Sequence, residues 1–252
     1  MTIPTYLPYF VLTGTAATLI AILYGLNRAL ANADWPSPDR RRTLIVSAVI
    51  LIGWLAAAIV LAALGVYHVN ASEVPTIQYG IVLPIFIGAL VIWQSEAAKR
   101  VIHAVPQEWL VGVQFYRALG VIFLILYTTG KLPSLFALPA GIGDIAIGLL
   151  APVVGLAYAR APRKAAGLVA AWNVFGILDL MIAVGTGFMT APSLFQPSEV
   201  QPTSELMTLL PMVLIPVYLV PLSIVLHVAS LTKLRREASA SQSHGRVADA
   251  RA

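Results

Sequence analysis

The segment Ser134 to Tyr158 reads SLFALPAGIGDIAIGLLAPVVGLAY, and it decides the fold class of the chain. It contains one acidic residue, Asp144, and no basic residue among apolar and small side chains. A helix rises about 1.5 Å per residue, so about 20 such residues cross a hydrocarbon core about 30 Å thick. The segment is therefore predicted to be a membrane-spanning helix with a carboxyl group inside it.

Six further windows have the length and apolar character of a membrane span. They lie at Leu7 to Leu26, Thr43 to Val66, Tyr79 to Ser95, Trp109 to Thr128, Ala165 to Gly187 and Leu206 to Leu231. Only 11% of the chain is charged, whereas soluble domains have about a quarter. We therefore predict an all-α, polytopic membrane protein that forms a bundle of seven transmembrane helices. Pro84 interrupts the shortest window, which leaves six helices with a re-entrant segment as the alternative.

The charged loops predict the orientation of the bundle. With seven alternating helices, the lysines and arginines outside the spans fall on one side, apart from Lys131, whereas the opposite loops carry Glu73, Glu199 and Glu205. Cytoplasmic loops collect Lys and Arg, so the N-terminus is predicted outside and the C-terminus in the cytoplasm. We expect a multi-pass protein of a cell membrane, of the prokaryotic cytoplasmic type. The formal charge of +5 then reflects topology; the expected partner is the lipid bilayer and not nucleic acid.

The chain divides into two predicted parts. Residues 1–232 form the seven-helix transmembrane domain, and residues 233–252 form a cytoplasmic tail. After Arg236 the sequence becomes small and polar, with too little apolar surface to bury. The tail is therefore predicted to be disordered.

Three ionisable residues lie inside predicted spans: Arg117, Asp144 and Asp179. Such residues are functional-site hypotheses by default. Counted from the predicted external helix ends, Asp179 lies about 12 Å deep, Arg117 about 17 Å, and Asp144 about 15 Å, or about 8 Å if its helix begins at Pro139. We expect the three side chains to meet in the outer half of the bundle.

The charges of this trio do not balance. One arginine cannot neutralise two ionised aspartates, so either one carboxyl group carries a proton or a cation supplies the missing charge. Gln114 shares a helix face with Arg117, and Asn173 precedes Asp179 on the sixth helix, so both could add hydrogen-bonding groups. The predicted substrate-binding or ion-binding residues are Arg117, Asp144, Asp179, Gln114 and Asn173. The competing interpretation is a structural clamp that fixes helix pairing.

Several chemistries lack their residues. The chain has no cysteine, which excludes thiolate sites and disulfides. His68, His103 and His244 fall in loops or the tail, and His227 is expected to lie alone near an interface, so no metal site and no cofactor is predicted. Nucleotide-binding and hydrolase motifs are also missing from the sequence. Catalytic residues are not assigned.

Three function classes follow from these features. The leading hypothesis is a protein that binds, or transports, a small solute or a proton or cation at the Asp/Arg cluster. The second is a membrane-embedded enzyme that acts on a lipid or isoprenoid, with a protonated aspartate as general acid and the arginine holding an anionic headgroup. The third is a non-catalytic membrane partner subunit or sensor. The sequence leaves the oligomeric state open.

Overall fold

The computed structural model describes residues 4–68, 75–192 and 201–249, with the backbone alone for residues 240–249. All regular structure in these ranges is helical. Seven helices in these ranges are long and apolar enough to cross a membrane, which confirms the predicted all-helical class and the predicted number of spans; insertion in a membrane stays a prediction. The orientation of the termini stays a prediction.

The helices follow one another with short connections. They are α1 (Leu7–Asn32), α2 (Ser37–Ala63), α3 (Ile77–Gln94), α4 (Glu96–Ala104), α5 (Gln107–Gly112), α6 (Val121–Thr128), α7 (Ser134–Arg160), α8 (Pro162–Thr190) and α9 (Val220–Asp249). A 3₁₀ segment, Val113–Gly120, joins α5 to α6, so the three pieces form one span, Gln107–Thr128. A π-helical turn, Ile215–Leu219, leads into α9 and begins the last span, Ile215–Ser239.

Local sequence sets several of these boundaries. Pro162 opens α8, where its missing N–H is no loss and its fixed φ suits the first turn. The hydroxyl of Ser95 accepts a hydrogen bond from the Ala98 N–H at 3.2 Å, which caps α4 and separates it from α3. Gly130 has a φ of 67°, a conformation that glycine adopts without strain, and it turns the chain between α6 and α7. Pro84 and Pro139 lie inside α3 and α7 without ending them.

The predicted seventh helix is wrong at its start. It was expected to begin at Leu206, but residues 205–213 form a 3₁₀ turn followed by irregular turns, and the continuous α-helix begins only at Val220. Pro211 and Pro216 lack the N–H that a regular helix needs, which explains the late start. Leu206 and Leu214 are nevertheless fully buried, so this apolar segment fills the interior instead of crossing it as a helix.

The described end of the chain belongs to helix α9. Helix α9 continues to Asp249, through most of the segment that was predicted to be disordered. Residues 250–252 lie outside the described part, and the division into domain and tail stays a prediction.

The described residues form four clusters of buried apolar side chains, and the two with the most residues lie toward opposite ends of the bundle. The end where α1, α3 and α7 begin and α6 and α8 finish is called the Leu7 end here; its core includes Leu7, Ile77, Leu126, Phe136 and Leu206. At the opposite end, α7, α8 and α9 pack through Val154, Tyr158, Val169 and Leu234. The spans Gln107–Thr128 and Ile215–Ser239 are the most buried, whereas α2 is peripheral. The interior charged residues therefore lie on inner elements.

Candidate functional site

The 3₁₀ segment Val113–Gly120 aims a row of side chains into the bundle. Its buried residues are Gln114, Arg117 and Gly120, one in every three. A 3₁₀ helix has three residues per turn, so residues at this spacing lie directly above one another. The segment packs against α7, and Arg117 therefore points toward the helices that carry the two aspartates.

Arg117 pairs with both aspartates. Its Nε donates to Asp144 Oδ1 at 2.7 Å, and its Nη2 donates to Asp179 Oδ2. The arginine side chain is 2% exposed, and the two aspartate side chains are 13% and 15% exposed. All three lie about 15 to 18 Å from the Leu7 end when residues are counted along the helices. The structure thus brings together the three charged residues that the sequence singles out.

His227 completes the shell around the arginine. Nη1 of Arg117 donates to the Gly176 carbonyl and approaches His227 Nε2, each at 3.2 Å. A guanidinium group only donates, so Nε2 must accept. Nδ1 of His227 then carries the ring proton and donates to Asn173 Oδ1 at 2.9 Å. His227 is therefore a neutral imidazole whose tautomer is fixed from both sides.

The position of His227 corrects the sequence expectation. It was expected to lie alone near an interface, but it is fully buried and contacts Arg117 and Asn173. The missed signal is a polar stripe on α9, where Ser223, His227 and Ser230 recur at i, i+4 and i+7 and so share one helix face.

The two predicted amides occupy different places. Asn173 joins the cluster through His227, and its Nδ2 donates to Ser230 Oγ at 2.9 Å. Gln114 instead donates to the Ser223 carbonyl at 3.0 Å. Among the described residues, it has no hydrogen bond to Arg117, Asp144 or Asp179. Four of the five predicted site residues are thus connected, and Gln114 links the 3₁₀ segment to α9.

Glycines create the space for this cluster. A Cβ added at Gly143 would overlap Asp179 Oδ1, and one added at Gly176 would overlap the His227 ring. At Gly148, an added Cβ would overlap the backbone of Ala118, which lies in the 3₁₀ segment. Small residues let membrane helices approach closely, and here they let α7, α8 and the 3₁₀ segment close around the charges.

Two adjacent cavities border the cluster at Asp144. The larger, about 70 Å³, is lined by α3, α6, α7, α8 and the segment before α9; the smaller, about 40 Å³, extends toward α1. Within the described part of the chain, Asp144 is the one polar residue that lines both, and Asp179 lines neither. Arg117 lines only the smaller cavity, together with Thr15, whose buried hydroxyl has no hydrogen-bond partner among the described residues.

The carboxylates retain unused acceptor atoms. Arg117 engages one oxygen of each aspartate, and among the described residues Asp144 Oδ2 and Asp179 Oδ1 have no hydrogen-bond partner. If both aspartates are ionised, one positive and two negative charges leave one unit of negative charge in the cluster. Described residues form no group of three or more acidic, histidine or cysteine side chains that could hold a metal ion.

The comparison with protein families matches residues 74–235 to a domain of unknown function, DUF8737. The chain belongs to this family. No curated protein and no solved structure matches it. The DUF8737 region contains Arg117, Asp144, Asn173, Asp179 and His227, so the whole cluster belongs to the family domain.

Proposed function

We propose that this membrane protein binds a small cation at Asp144. When no cation is bound, a proton takes its place on the carboxyl group. Asp144 carries this proposal, because it pairs with a buried arginine and also borders two cavities. A sealed helix contact would have no space beside its carboxylate.

Electrostatics supports a positively charged occupant. A charged residue near the centre of a bilayer costs about 2.5 to 3.5 kcal/mol on insertion scales. Arg117 offsets part of this cost for each aspartate, but one negative charge remains. A unit charge 4 Å from another contributes about 4 kcal/mol at an effective dielectric constant near 20. Either a proton on a carboxyl group or a bound cation supplies this stabilisation.

The two aspartates take different roles in this proposal. Asp179 pairs with Arg117 away from both cavities, where its free oxygen lies over Gly143. It acts as the permanent counter-ion of Arg117, which is the structural role that the clamp hypothesis describes. Asp144 contacts the cavities and acts as the cation ligand.

The contacts of Arg117 weaken the lipid-enzyme alternative. That hypothesis assigns the arginine to an anionic headgroup. Four of its five N–H groups already donate to Asp144, Asp179, the Gly176 carbonyl and His227. An anionic ligand would also meet two carboxylates within the same cluster.

Infrared difference spectroscopy tests the proposal directly. Purified protein in lipid film is perfused alternately with buffer and with NaCl, KCl or methylammonium chloride, and the C=O stretching band of protonated carboxyl groups is recorded. When a cation displaces the proton, we expect this band to decrease in the unmodified protein. Asp144→Asn should lose the saturable response, because the ligand carboxylate is missing.

Asp179→Asn is the matched control, since both aspartates pair with Arg117 at similar exposure. It removes the excess charge but leaves the ligand, so we expect a weaker response that still saturates. The proposal fails if none of the three cations changes a carboxyl band, or if Asp144→Asn responds like the unmodified protein. Asp39→Asn, an exposed change in the first turn of α2, should leave the spectrum unchanged.

We also propose that the Leu7 end faces outward from a prokaryotic cytoplasmic membrane. The basic loops at the opposite end support this orientation. The larger cavity, whose lining reaches from Asp144 to Ala191 at the Leu7 end, would then lie in the outer half of the bundle.

A further inference from the structure

The larger cavity combines one carboxylate with walls that are otherwise mostly apolar. Besides Asp144, the polar side chains among its described lining residues are the hydroxyls of Ser204 and Thr208, and most others are aliphatic or aromatic. Phe123 and Phe136 meet edge to face in its wall, with ring centroids 5.5 Å apart. We propose that this cavity is a site for a short-chain alkylammonium ion, whose N–H groups bond Asp144 and whose hydrocarbon packs against Phe123, Phe136 and Leu180.

This inference rests on the proposed function and names the class of cation. A hard metal ion such as Ca²⁺ takes about 6 to 8 oxygen ligands to replace its hydration shell. The larger cavity offers one carboxylate and two hydroxyls from the side chains of its described lining residues. A primary alkylammonium ion has three N–H donors and carries its own apolar surface. Aromatic rings add attraction for a cation, because their faces are electron-rich.

The charges select the larger cavity over the smaller one. Arg117 lines the smaller cavity, so a cation placed there would meet a positive charge. It does not line the larger cavity, where Asp144 is the one charged residue among the described lining residues. A cation in the larger cavity can therefore contact the carboxylate in a space that the arginine does not line.

The size of the cavity limits the ligand. A cavity of about 150 Å³ accommodates benzene, which has six heavy atoms. The larger cavity measures about 70 Å³, and the same proportion gives about three heavy atoms. Methylammonium and ethylammonium fit this limit, and longer chains exceed it.

The experiment compares alkylammonium ions with neutral and metallic probes by the same infrared carboxyl band. The probes are methyl-, ethyl- and propylammonium chloride, NaCl, KCl, and methanol and ethanol as uncharged analogues. Each methylene group buried in an apolar site strengthens binding about fourfold. We expect the apparent affinity to rise about fourfold from methyl- to ethylammonium and then to level off. The alcohols should give no saturable response.

Two glycine variants connect this response to the cavity. Gly187 lines the larger cavity, and a Cβ there would lie 3.5 Å from Phe136, an ordinary contact. Gly187→Ala should fill space about the size of a water molecule and weaken ethylammonium binding about fourfold, with little effect on methylammonium. Gly185→Ala lies two residues away on the same helix, where an added Cβ meets nothing within 4 Å, and should change neither. Circular dichroism checks that both variants fold.

The outcomes separate this inference from the proposed function. If Na⁺ or K⁺ changes the Asp144-dependent band and no alkylammonium ion does, the cation site stands and the alkylammonium inference is wrong. If alkylammonium binding is identical in Gly187→Ala and Gly185→Ala, the hydrocarbon lies outside this cavity and the inference is also wrong. If no probe changes a band, both proposals fail together.

Discussion

Replacing Arg117 by glutamine removes the positive charge between two buried carboxylates. In the folded protein Arg117 donates to both aspartates from a side chain that is 2% exposed. Arg117→Gln leaves these carboxylates facing each other without a counter-charge. Breaking a buried ion pair by removing one partner costs about 3 to 5 kcal/mol, because the remaining charge is uncompensated.

This loss is large enough to measure as a change in unfolding temperature. In a domain of about 150 to 250 residues, 1 kcal/mol corresponds to about 2 to 4 °C. The expected decrease is therefore about 6 to 20 °C. The assay is thermal unfolding of detergent-purified protein, followed by intrinsic tryptophan fluorescence and by size-exclusion chromatography. Arg163→Gln provides the matched control, because Arg163 is exposed at the start of α8.

A rescue variant distinguishes charge imbalance from loss of packing. The triple variant Arg117→Gln, Asp144→Asn, Asp179→Asn has no net charge in the cluster, and it differs from the single variant only by two isosteric Asp→Asn changes. It should recover most of the lost unfolding temperature, because the uncompensated carboxylates cause most of the cost. If Arg117→Gln unfolds like Arg163→Gln, or if the triple variant is no more stable than the single one, the electrostatic reasoning is refuted.

Two further predictions concern the packing of the cluster and the orientation of the bundle. Gly176→Ala places a Cβ against the His227 ring and should destabilise the protein by about 1 to 3 kcal/mol through overpacking. Gly167→Ala is the control, because an added Cβ there meets nothing within 4 Å, and it should not destabilise the protein. Equal unfolding temperatures of the two variants would count against the role of Gly176. Because the chain has no cysteine, Thr129→Cys and Arg163→Cys can be tested singly with an impermeant maleimide on intact cells. Labelling of Thr129→Cys alone is expected, and the reverse pattern would overturn the proposed orientation.

The helical spans could be predicted because their signal is local. Each apolar window has the length that a bilayer requires, and the seven windows correspond to the seven helices of spanning length. Boundaries were less certain where proline changes the backbone. Leu206 looked like the start of a helix, but Pro211 and Pro216 delay the regular helix to Val220.

The charged residues could be identified from the sequence, but only some of the residues that contact them could. Arg117, Asp144 and Asp179 stand out because ionisable side chains are rare among apolar residues. His227 did not, since a single histidine near the end of an apolar window resembles an interfacial residue. Its role depends on Asn173 and Arg117, which lie 54 and 110 positions away along the chain.

The sequence by itself determined that the chain forms helices long and apolar enough to span a membrane and that these helices contain an unequal set of charges. Both properties follow from composition and from spacing along one helix. Only the tertiary structure decided that both aspartates pair with the same arginine, that His227 completes its shell, and that Asp144 alone of the two borders the cavities. The contacts of Arg117 join four different spans. The packing of separate spans depends on side-chain shape across the bundle, and the spacing of residues within one span does not specify that shape.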